Sequence, residues 1–437
     1  MSMRDDLIEY EQNNGPIRVG LIGAGQMGTG LMSQMEKMDG MQVVAVADVI
    51  PNRAEAAYVE ASVEKSLVRS VESSLSEAEL AVQEGLRIAT RSFDMMIEMA
   101  SLDVIVEATG IPEIGAIACQ AAILSGKHVV NMNVETDATI GYYLAELGRA
   151  AGVVYTLAAG DEPGAIKEIY DFADALGFEI VCVGKGKNNP LDRSANPDKL
   201  AEQARQKNMS AKMLASFVDG TKTMVEMTSA GNATGFAPEI RGAHGPKCSV
   251  ADLPKLFVPK ADGGILEGKL AVDYAIGPAP GVFVIITTDQ PKIIADLRYL
   301  GLNGHGDYWS LYRPYHLANL ETPISIARAV LYDEETIATH KPPVAETITA
   351  AKKDLKPGDV IDGLGGFSVY GMIEKAEVAK AENLLPLGLA PGAKVRKNIK
   401  TGEALTYEDV EIDNSLTIAH LRFLQDRIVE KQKALNV

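Results

Sequence analysis

The stretch Ser216-Phe-Val-Asp-Gly-Thr-Lys-Thr-Met-Val-Glu226 sets two carboxylates and one lysine at a spacing that can move a proton. If it is helical, Asp219, Lys222 and Glu226 fall at i, i+3 and i+7, within roughly 60° of one another. A lysine held between carboxylates can donate a proton or hydrogen bond to a carbonyl oxygen as its carbon is reduced. The same spacing also makes a solvated, salt-bridged stripe. Two features favour chemistry: Gly220 inside a helix costs ~1 kcal/mol, and the flanking residues are small or hydroxyl-bearing rather than charged. Asp219, Lys222 and Glu226 are therefore the candidate catalytic residues.

A second pattern lies near the amino terminus. Strand-forming Val19 to Ile22 runs into Gly23-Ala-Gly-Gln-Met-Gly28, and helix-compatible residues follow. This is the first strand–helix turn of a dinucleotide-binding fold: Gly23 permits the tight turn, Gly25 lets a pyrophosphate approach, and Gly28 lets helix pack on strand. Gln26 and Met27 open the helix, whose free N–H groups and partial positive charge suit phosphate. A second strand, Gln42 to Ala47, ends in Asp48, where an acid that binds a ribose hydroxyl belongs. Asp48 favours NADH; Arg53, five residues on, can pair with a 2′-phosphate and favour NADPH, or be a solvated turn residue. These residues alone leave NADH and NADPH open.

Further polar groups should gather at the carboxyl edge of the sheet. Asp103-Val-Ile-Val-Glu-Ala-Thr-Gly110 is a strand that ends in Thr109 and Gly110, both expected at the cofactor. In Asn131-Met-Asn-Val-Glu-Thr-Asp137, Asn133 is placed at the nicotinamide end and Glu135 at the substrate, with helix capping by Thr136 or Asp137 as the alternative. Lys185, Lys187 and Asn188 sit in what reads as a Gly- and Asn-rich loop, Val183 to Pro190. Arg241-Gly-Ala-His-Gly-Pro-Lys247 forms another basic stretch, in which Arg241 and His244 are the stronger anion-binding candidates. Gly301 to His316 combines Gly, aromatic and basic residues; Arg313 and His316 either face the substrate or belong to a loop buried by its aromatics.

Composition narrows the partners. With 42 basic and 59 acidic side chains the net charge is −17, which opposes nucleic acid and anionic membranes and leaves a small anionic substrate. Cys119, Cys182 and Cys248 lack the spacing of a disulfide framework or a thiolate zinc site. Met1 to Asn14 has no apolar core of a signal peptide, and no run approaches the ~18 apolar residues of a spanning helix, so a cytoplasmic location is expected.

The elements that must position these residues exceed one ordinary core. Alternating strands and helices predict an α/β fold with a Rossmann, doubly wound parallel sheet over 1–158, with Ala54 to Ser101 as a long helical insertion. Residues 159–340 read as an α+β catalytic and oligomerisation domain, with one helix over 197–225 and antiparallel strands at 268–276 and 281–288. Residues 341–437 read as a β-rich domain of short strands and Pro-Gly turns. Strand edges in the middle region predict a homo-oligomer.

Gly23 to Gly28, Ala158-Ala-Gly-Asp-Glu-Pro-Gly164, the Asp219/Lys222 stretch, Tyr312-Arg-Pro-Tyr-His-Leu317, Glu321-Thr-Pro-Ile-Ser-Ile-Ala-Arg328 and the β-rich tail together resemble homoserine-dehydrogenase-like oxidoreductases with a carboxyl-terminal SAF-type domain. Within that group the chain looks most like the type II, DXR-like 1-deoxy-D-xylulose 5-phosphate reductoisomerases. The resemblance implies an NADPH-dependent enzyme that forms 2-C-methyl-D-erythritol 4-phosphate for isoprenoid biosynthesis. It implies that Lys222 polarises the carbonyl, that Asp219 or Glu226 moves the hydroxyl proton, and that Arg241, Lys185 or Lys187 holds the phosphate. It also implies Mg²⁺ or Mn²⁺, for which Asp161, Glu162 and Asp219 are the candidate ligands. The lysine usual on the strand-end loop of homoserine dehydrogenases is replaced by Asn131-Met-Asn-Val-Glu135, which argues against homoserine itself. A related dehydrogenase or oxidoisomerase acting on a sugar acid or another small polar substrate, and a nonenzymatic nucleotide sensor, are the alternatives.

Overall fold

The computed structural model describes residues 2–207 and 209–435. The chain divides into two compact units, 1–164 with 317–340 and 165–316 with 341–437.

The first unit is built on seven parallel strands: β1 (Ile17–Ile22), β2 (Met41–Ala47), β3 (Val68–Ser70), β4 (Arg87–Thr90), β5 (Val104–Glu107), β6 (His128–Asn131) and β7 (Tyr155–Leu157). Their order is β3-β4-β2-β1-β5-β6-β7, and every pairing is parallel. From β1 the chain adds β2, the edge strand β3 and then β4 between them on one side, and crosses to β5 to wind outward on the other. The order therefore reverses between β1 and β5, and ligands of open α/β sheets bind at the carboxyl ends of the strands beside that reversal. The strands are runs of buried Val, Ile, Leu and Ala, as a sheet covered on both faces requires.

Two expectations for this unit need correction. The 54–101 segment is not a helical insertion, since it contributes β3 and β4 to the sheet. β4 is only four residues long and opens on Arg87, which reads as solvent-facing but is buried, donating to Val43 O at 2.5 Å and pairing with Glu36 at 3.4 Å. Segment 317–340, read as part of the middle domain, belongs to the first unit. Its helix, Ala318–Tyr332, places Ile326 and Ala327 in the core around β1 and β2.

The second unit holds a five-stranded sheet of β8 (Glu179–Lys187), β9 (Ala271–Ile276), β10 (Val282–Thr287), β11 (Gly304–His305) and β12 (Tyr308–Arg313), ordered β11-β12-β10-β8-β9. β9 and β10 run antiparallel, as expected, but are not paired with each other. They instead flank β8, parallel to it on one side and antiparallel on the other. The stretch read as a basic loop from Val183 is thus the end of a buried central strand. Gly184 and Gly186 allow close packing rather than loop freedom: a Cβ at Gly184 would lie 2.4 Å from Asp273 O, and one at Gly186 1.8 Å from Pro278 O.

The predicted helix over 197–225 is three helices, Pro197–Gln206, Ala211–Val218 and Thr221–Thr234. The tail supplies β13 (Ala345–Ala351) paired with β14 (Val369–Lys375), and the short pair β15 (Lys394–Val395) and β16 (Val410–Glu411). It ends in a helix, Thr417–Leu435, that its Pro-Gly texture did not announce. The tail is packed into this unit: Thr228 and Thr347 share a hydrogen bond of 2.8 Å, and Asn232 Oδ1 accepts from the backbone amides of Val344 and Ala345. Cys119 and Cys182 are buried and Cys248 is half-buried, all as free thiols. No helix among the described residues is long and apolar enough to cross a membrane.

Candidate functional site

Candidate site residues occupy both units, and each group is built differently. In the first unit the turn after β1 has the form its glycines predict. Gly23 adopts φ +98°, and a Cβ there would come within 2.9 Å of the Ala108 carbonyl. A Cβ on Gly28 would meet Gly23 O at 2.1 Å, whereas Gly25 faces open space. Gly25 is the N-cap of the helix Gln26–Met35, which has no side-chain cap and no acid in its first turn. Its leading N–H groups are thus directed at a position that an anion can occupy. This arrangement fits a dinucleotide pyrophosphate held by the backbone of Gly25, Gln26 and Met27.

Asp48 follows β2 as expected, but most of its work is local. Its Oδ2 accepts from Ala24 N and its Oδ1 from Ile50 N, each at 2.9 Å, so it ties the two strand-end loops together. Arg53 Nη1 lies 3.8 Å from Asp48 Oδ2 and is 44% exposed, near enough to pair and free enough to move. Asp48, Asn52, Thr90 and Arg91 help line a pocket of about 200 Å³ at this edge.

At the end of β5, Thr109 and Gly110 lie at the reversal point, with Gly110 exposed at φ +68°. Their anchor is a residue that the sequence reading passed over. Glu107 Oε1 accepts from Thr109 N at 2.8 Å and from the Thr109 hydroxyl. Burial pushes the Glu107 carboxyl up to about 7, against hydrogen bonds from Thr109 and Asn133 that lower it, with Glu135 raising it further. A glutamate closing the all-apolar run Val104-Ile-Val was the available signal. Asn133 is the N-cap of the helix Val134–Ala151, its Oδ1 accepting from Thr136 N at 3.2 Å. The cap is thus Asn133 itself rather than Thr136 or Asp137. Both Asn133 and Glu135 are buried.

Two stretches used for the resemblance meet in this unit. Ala159 N donates to Ser325 Oγ at 2.8 Å, and a Cβ on Gly160 would lie 2.5 Å from Glu321 Cβ.

The second unit holds the lysine–carboxylate constellation, rearranged. Asp219 and Lys222 do not share one helix, because the chain breaks at Gly220 (φ +85°), where a Cβ would strike Leu191 at 2.6 Å. The unusual glycine thus marks a left-handed junction rather than a ligand's close approach. Asp219 closes the helix Ala211–Val218, and its Oδ1 accepts from Thr221 N at 2.8 Å. Its Oδ2 pairs with Lys352 Nζ at 2.7 Å, with side-chain exposures of 0% and 3%. Lys352 also donates to Ala195 O and Gly366 O, and Arg193 Nη1 donates to Asp219 O and Gly371 O. Neither Lys352 nor Arg193 was foreseen; Lys352 lies 133 positions from Asp219 in a turn-rich stretch that carries no local signal.

Lys222 is half-buried in the first turn of the helix Thr221–Thr234, and Glu226 one turn later is buried and ion-paired with Lys185. Lys187, two residues on along β8, donates to Phe217 O at 2.7 Å. Burial, the Lys185 charge and Arg193 push Lys187 down to about 8, while Asp219 and Glu226 oppose the shift. The two strand lysines thus face inward; Asn188, just past the strand, is exposed.

Three other expected anion-binding residues are engaged within the unit. Arg241 is bound to Glu374 and Glu382, each at 2.6 Å. His244 Nδ1 lies 2.7 Å from Asp273 Oδ2. Arg313 pairs with Glu168 at 2.9 Å and lies over the Tyr315 ring. His316 lies half-buried just beyond β12, where Trp309 is fully buried.

Comparison with known proteins adds one family and several folds. Residues 160–322 match the model of the catalytic domain of oxidoreductase DRL, a span that contains Asp219, Lys222 and Glu226. No curated protein matches the sequence. Among solved structures, a probable dehydrogenase from Thermotoga maritima is similar at 14% identity, over 73% of this chain and 90% of its own, with a TM-score of 0.42. Scyllo-inositol dehydrogenase from Lactobacillus casei, solved with NAD(H) and scyllo-inositol, is similar at 14% identity over 68% and 76%, with a TM-score of 0.37. The 1-deoxy-D-xylulose 5-phosphate reductoisomerase from Zymomonas mobilis, solved with NADPH, is similar at 19% identity over 48% and 58%, with a TM-score of 0.33. With a parallel sheet that reverses at an open glycine turn, and a match to an oxidoreductase catalytic domain, this chain is an NAD(P)H-dependent oxidoreductase of Rossmann type.

Proposed function

We propose that the protein is an NADPH-dependent reductoisomerase that converts 1-deoxy-D-xylulose 5-phosphate to 2-C-methyl-D-erythritol 4-phosphate. The observation that carries this reading is the match of residues 160–322 to the catalytic domain of oxidoreductase DRL, joined to the whole-chain resemblance. Gly25, Gln26, Met27 and Gly28 would hold the pyrophosphate of NADPH, and Arg53 would leave Asp48 to pair with the 2′-phosphate. Thr109, Gly110 and Asn133 would hold the nicotinamide end, which would supply hydride.

In this mechanism Lys222 hydrogen-bonds the carbonyl oxygen and donates a proton as the carbon is reduced. Asp219 is better suited to positioning than to proton transfer: with Lys352 and Thr221 N on its oxygens, it fixes the junction from which Lys222 projects. Glu226 is assigned the exchange of the hydroxyl proton, through its pair with Lys185. The same engagement removes Asp219 from the expected Mg²⁺ or Mn²⁺ ligands and leaves Asp161 and Glu162, so no step is assigned to a metal. The β-rich tail is read as SAF-like, and its Lys352 ties it to the catalytic unit. We further propose a cytoplasmic homo-oligomer.

A second reading, a dehydrogenase or oxidoisomerase for a small polar substrate without phosphate, is favoured by a specific observation. Lys185 and Arg241, two of the expected phosphate grips, already hold carboxylates.

The assay that decides follows NADPH absorbance with 1-deoxy-D-xylulose 5-phosphate and Mg²⁺ or Mn²⁺, beside sugar acids and homoserine. Turnover of the phosphorylated ketose supports the first reading; turnover confined to the unphosphorylated substrates overturns it in favour of the second. Lys222→Ala should lower kcat by about 10²- to 10⁴-fold, with nucleotide affinity unchanged. A fully active variant would remove Lys222 from the mechanism.

A further inference from the structure

The first unit contains one polar pair that neither the glycine turn nor the proposed catalytic lysine uses. Glu107 Oε2 and Asn133 Nδ2 are both buried, and neither makes a hydrogen bond of normal geometry. They are neighbours, since the Asn133 side chain acts on the Glu107 carboxyl. A buried acceptor and a buried donor left this way are costly, at roughly 1–3 kcal/mol each, so the arrangement needs a reason. Neither side chain can drift to water. Asn133 is pinned by its cap to Thr136 N, and its own backbone N–H donates to Asn131 Oδ1 at 2.8 Å. The helix Pro112–Leu124 closes over them: a Cβ on Gly115 would lie 2.9 Å from Asn133 Nδ2 and 2.1 Å from Thr136 Oγ1.

Both oxygens of Glu107 therefore control something. Oε1 holds Thr109 by its amide and its hydroxyl, and Thr109 leads into exposed Gly110 at the reversal point of the sheet. Oε2 faces the residue that caps the next strand-end helix. We infer that Glu107 is a proton-responsive positioning residue of the nicotinamide site, holding Thr109 and Asn133 in place when ionised and releasing one of them when protonated. The inference rests on the NAD(P)H reading of this edge.

The proton bookkeeping is short. Ionised, Oε1 accepts from Thr109 N and from the Thr109 hydroxyl, while Oε2 faces the Asn133 N–H₂ and attracts it without a hydrogen bond of normal geometry. A proton on Oε2 sets O–H against the N–H₂ of Asn133, and a proton on Oε1 displaces the Thr109 donors. Either way one strand-end loop loses its tether.

Burial and Glu135 on the helix Val134–Ala151 oppose ionisation, and the Thr109 and Asn133 side chains favour it; the Cys119 thiol on the covering helix and the Tyr155 hydroxyl, which donates to Asp137 Oδ1 at 3.1 Å, are held neutral by burial. No basic side chain is among them. The resulting upward shift of Glu107 places the change of state near neutrality.

The test compares the full-length protein with Glu107→Gln, which keeps the shape and cannot ionise. NADH and NADPH affinities are measured by nucleotide fluorescence from about pH 6 to about pH 8, and thermal midpoints are recorded without nucleotide over the same range. Wild type should bind both nucleotides more tightly at the upper end by about 3- to 10-fold, and Glu107→Gln should show a flat profile. Thr109→Ala should flatten the profile as well, since it removes the hydroxyl that the carboxylate holds. Without nucleotide, wild type should lose stability relative to Glu107→Gln as pH rises, because ionising a buried acid favours the unfolded chain. Parallel affinity curves in wild type and Glu107→Gln, with both binding, overturn this role and leave the cofactor reading intact. Absence of nucleotide binding by wild type at every pH overturns both.

Discussion

Carboxylates organise both units, but their partners come from different distances. At the edge of the first unit Asp48 and Glu107 each close a strand, and each accepts the backbone N–H two residues on, from Ile50 and Thr109. Each charge is held by backbone amides at the strand ends, Asp48 also by Ala24 N of the glycine turn. In the second unit Asp219, Glu226, Glu346 and Glu374 are held by Lys352, Lys185, Arg422 and Arg241, all remote in sequence. Local amides build a receptive edge, whereas remote cations build a closed interior. The difference teaches that a carboxylate–lysine spacing in sequence is weak evidence for a shared face, because a buried acid takes the cation that the fold delivers.

The largest effect expected from this contrast falls on Lys352. Lys352→Met should destabilise the protein by about 3–5 kcal/mol, because Asp219 is left buried and charged with only an amide on its other oxygen. Urea or thermal unfolding measures it. Joining Lys352→Met to Asp219→Asn should recover part of the loss, since the pair rather than either residue is being removed. An unchanged midpoint in Lys352→Met would show that backbone donors suffice in the second unit as they do in the first, and the comparison would collapse.

This contrast also explains what could be read in the sequence. The parallel sheet, the glycine turn and Asp48 were legible because each is a local pattern: apolar strands, a fixed glycine spacing, an acid at a strand end. β4 was missed because its Arg87 makes a buried residue look exposed, and a four-residue strand has no periodicity of its own. β8 was taken for a loop because Gly184 and Gly186 were read as freedom when they are close contacts. Lys185, Lys187 and Arg241 were expected to grip an anion, and only the tertiary structure reveals the carboxylates and carbonyls that hold them. The tail was set apart as a domain by its turn-rich texture, although Lys352 and the β13–β14 pair complete the second unit.

A smaller effect is expected where a local carboxylate and a mobile cation meet. Arg53→Ala should lower the preference for NADPH over NADH by about tenfold, the scale of one charge-assisted contact to a phosphate. The ratio of kcat/KM for the two nucleotides measures it. Asp48 should be unaffected, because its oxygens keep Ala24 N and Ile50 N. An unchanged ratio would make Arg53 a turn residue.

The smallest effect belongs to Asp273, which uses both strategies at once. It accepts from the backbone amides of His244, Gly245 and Tyr274, and it also faces the His244 imidazole at 2.7 Å. That hydrogen bond raises the His244 pKa above its ordinary value, with Asp273 and Glu239 charges adding to it and burial and Lys260 opposing. The sign follows from the folded state's stronger hold on the proton. The contribution is fully present below about pH 6.5, the ordinary histidine value, and is lost as pH rises through the raised folded value. Because the imidazole is partly solvated and the amides remain in place, the loss should stay under about 1 kcal/mol. His244→Asn should remove this slope from the thermal midpoint between about pH 6 and pH 8 while changing the midpoint little at the upper end. A drop in His244→Asn as large as that in Lys352→Met would mean that the amides around Asp273 carry little, and that remote cations rule the second unit even where local donors are present.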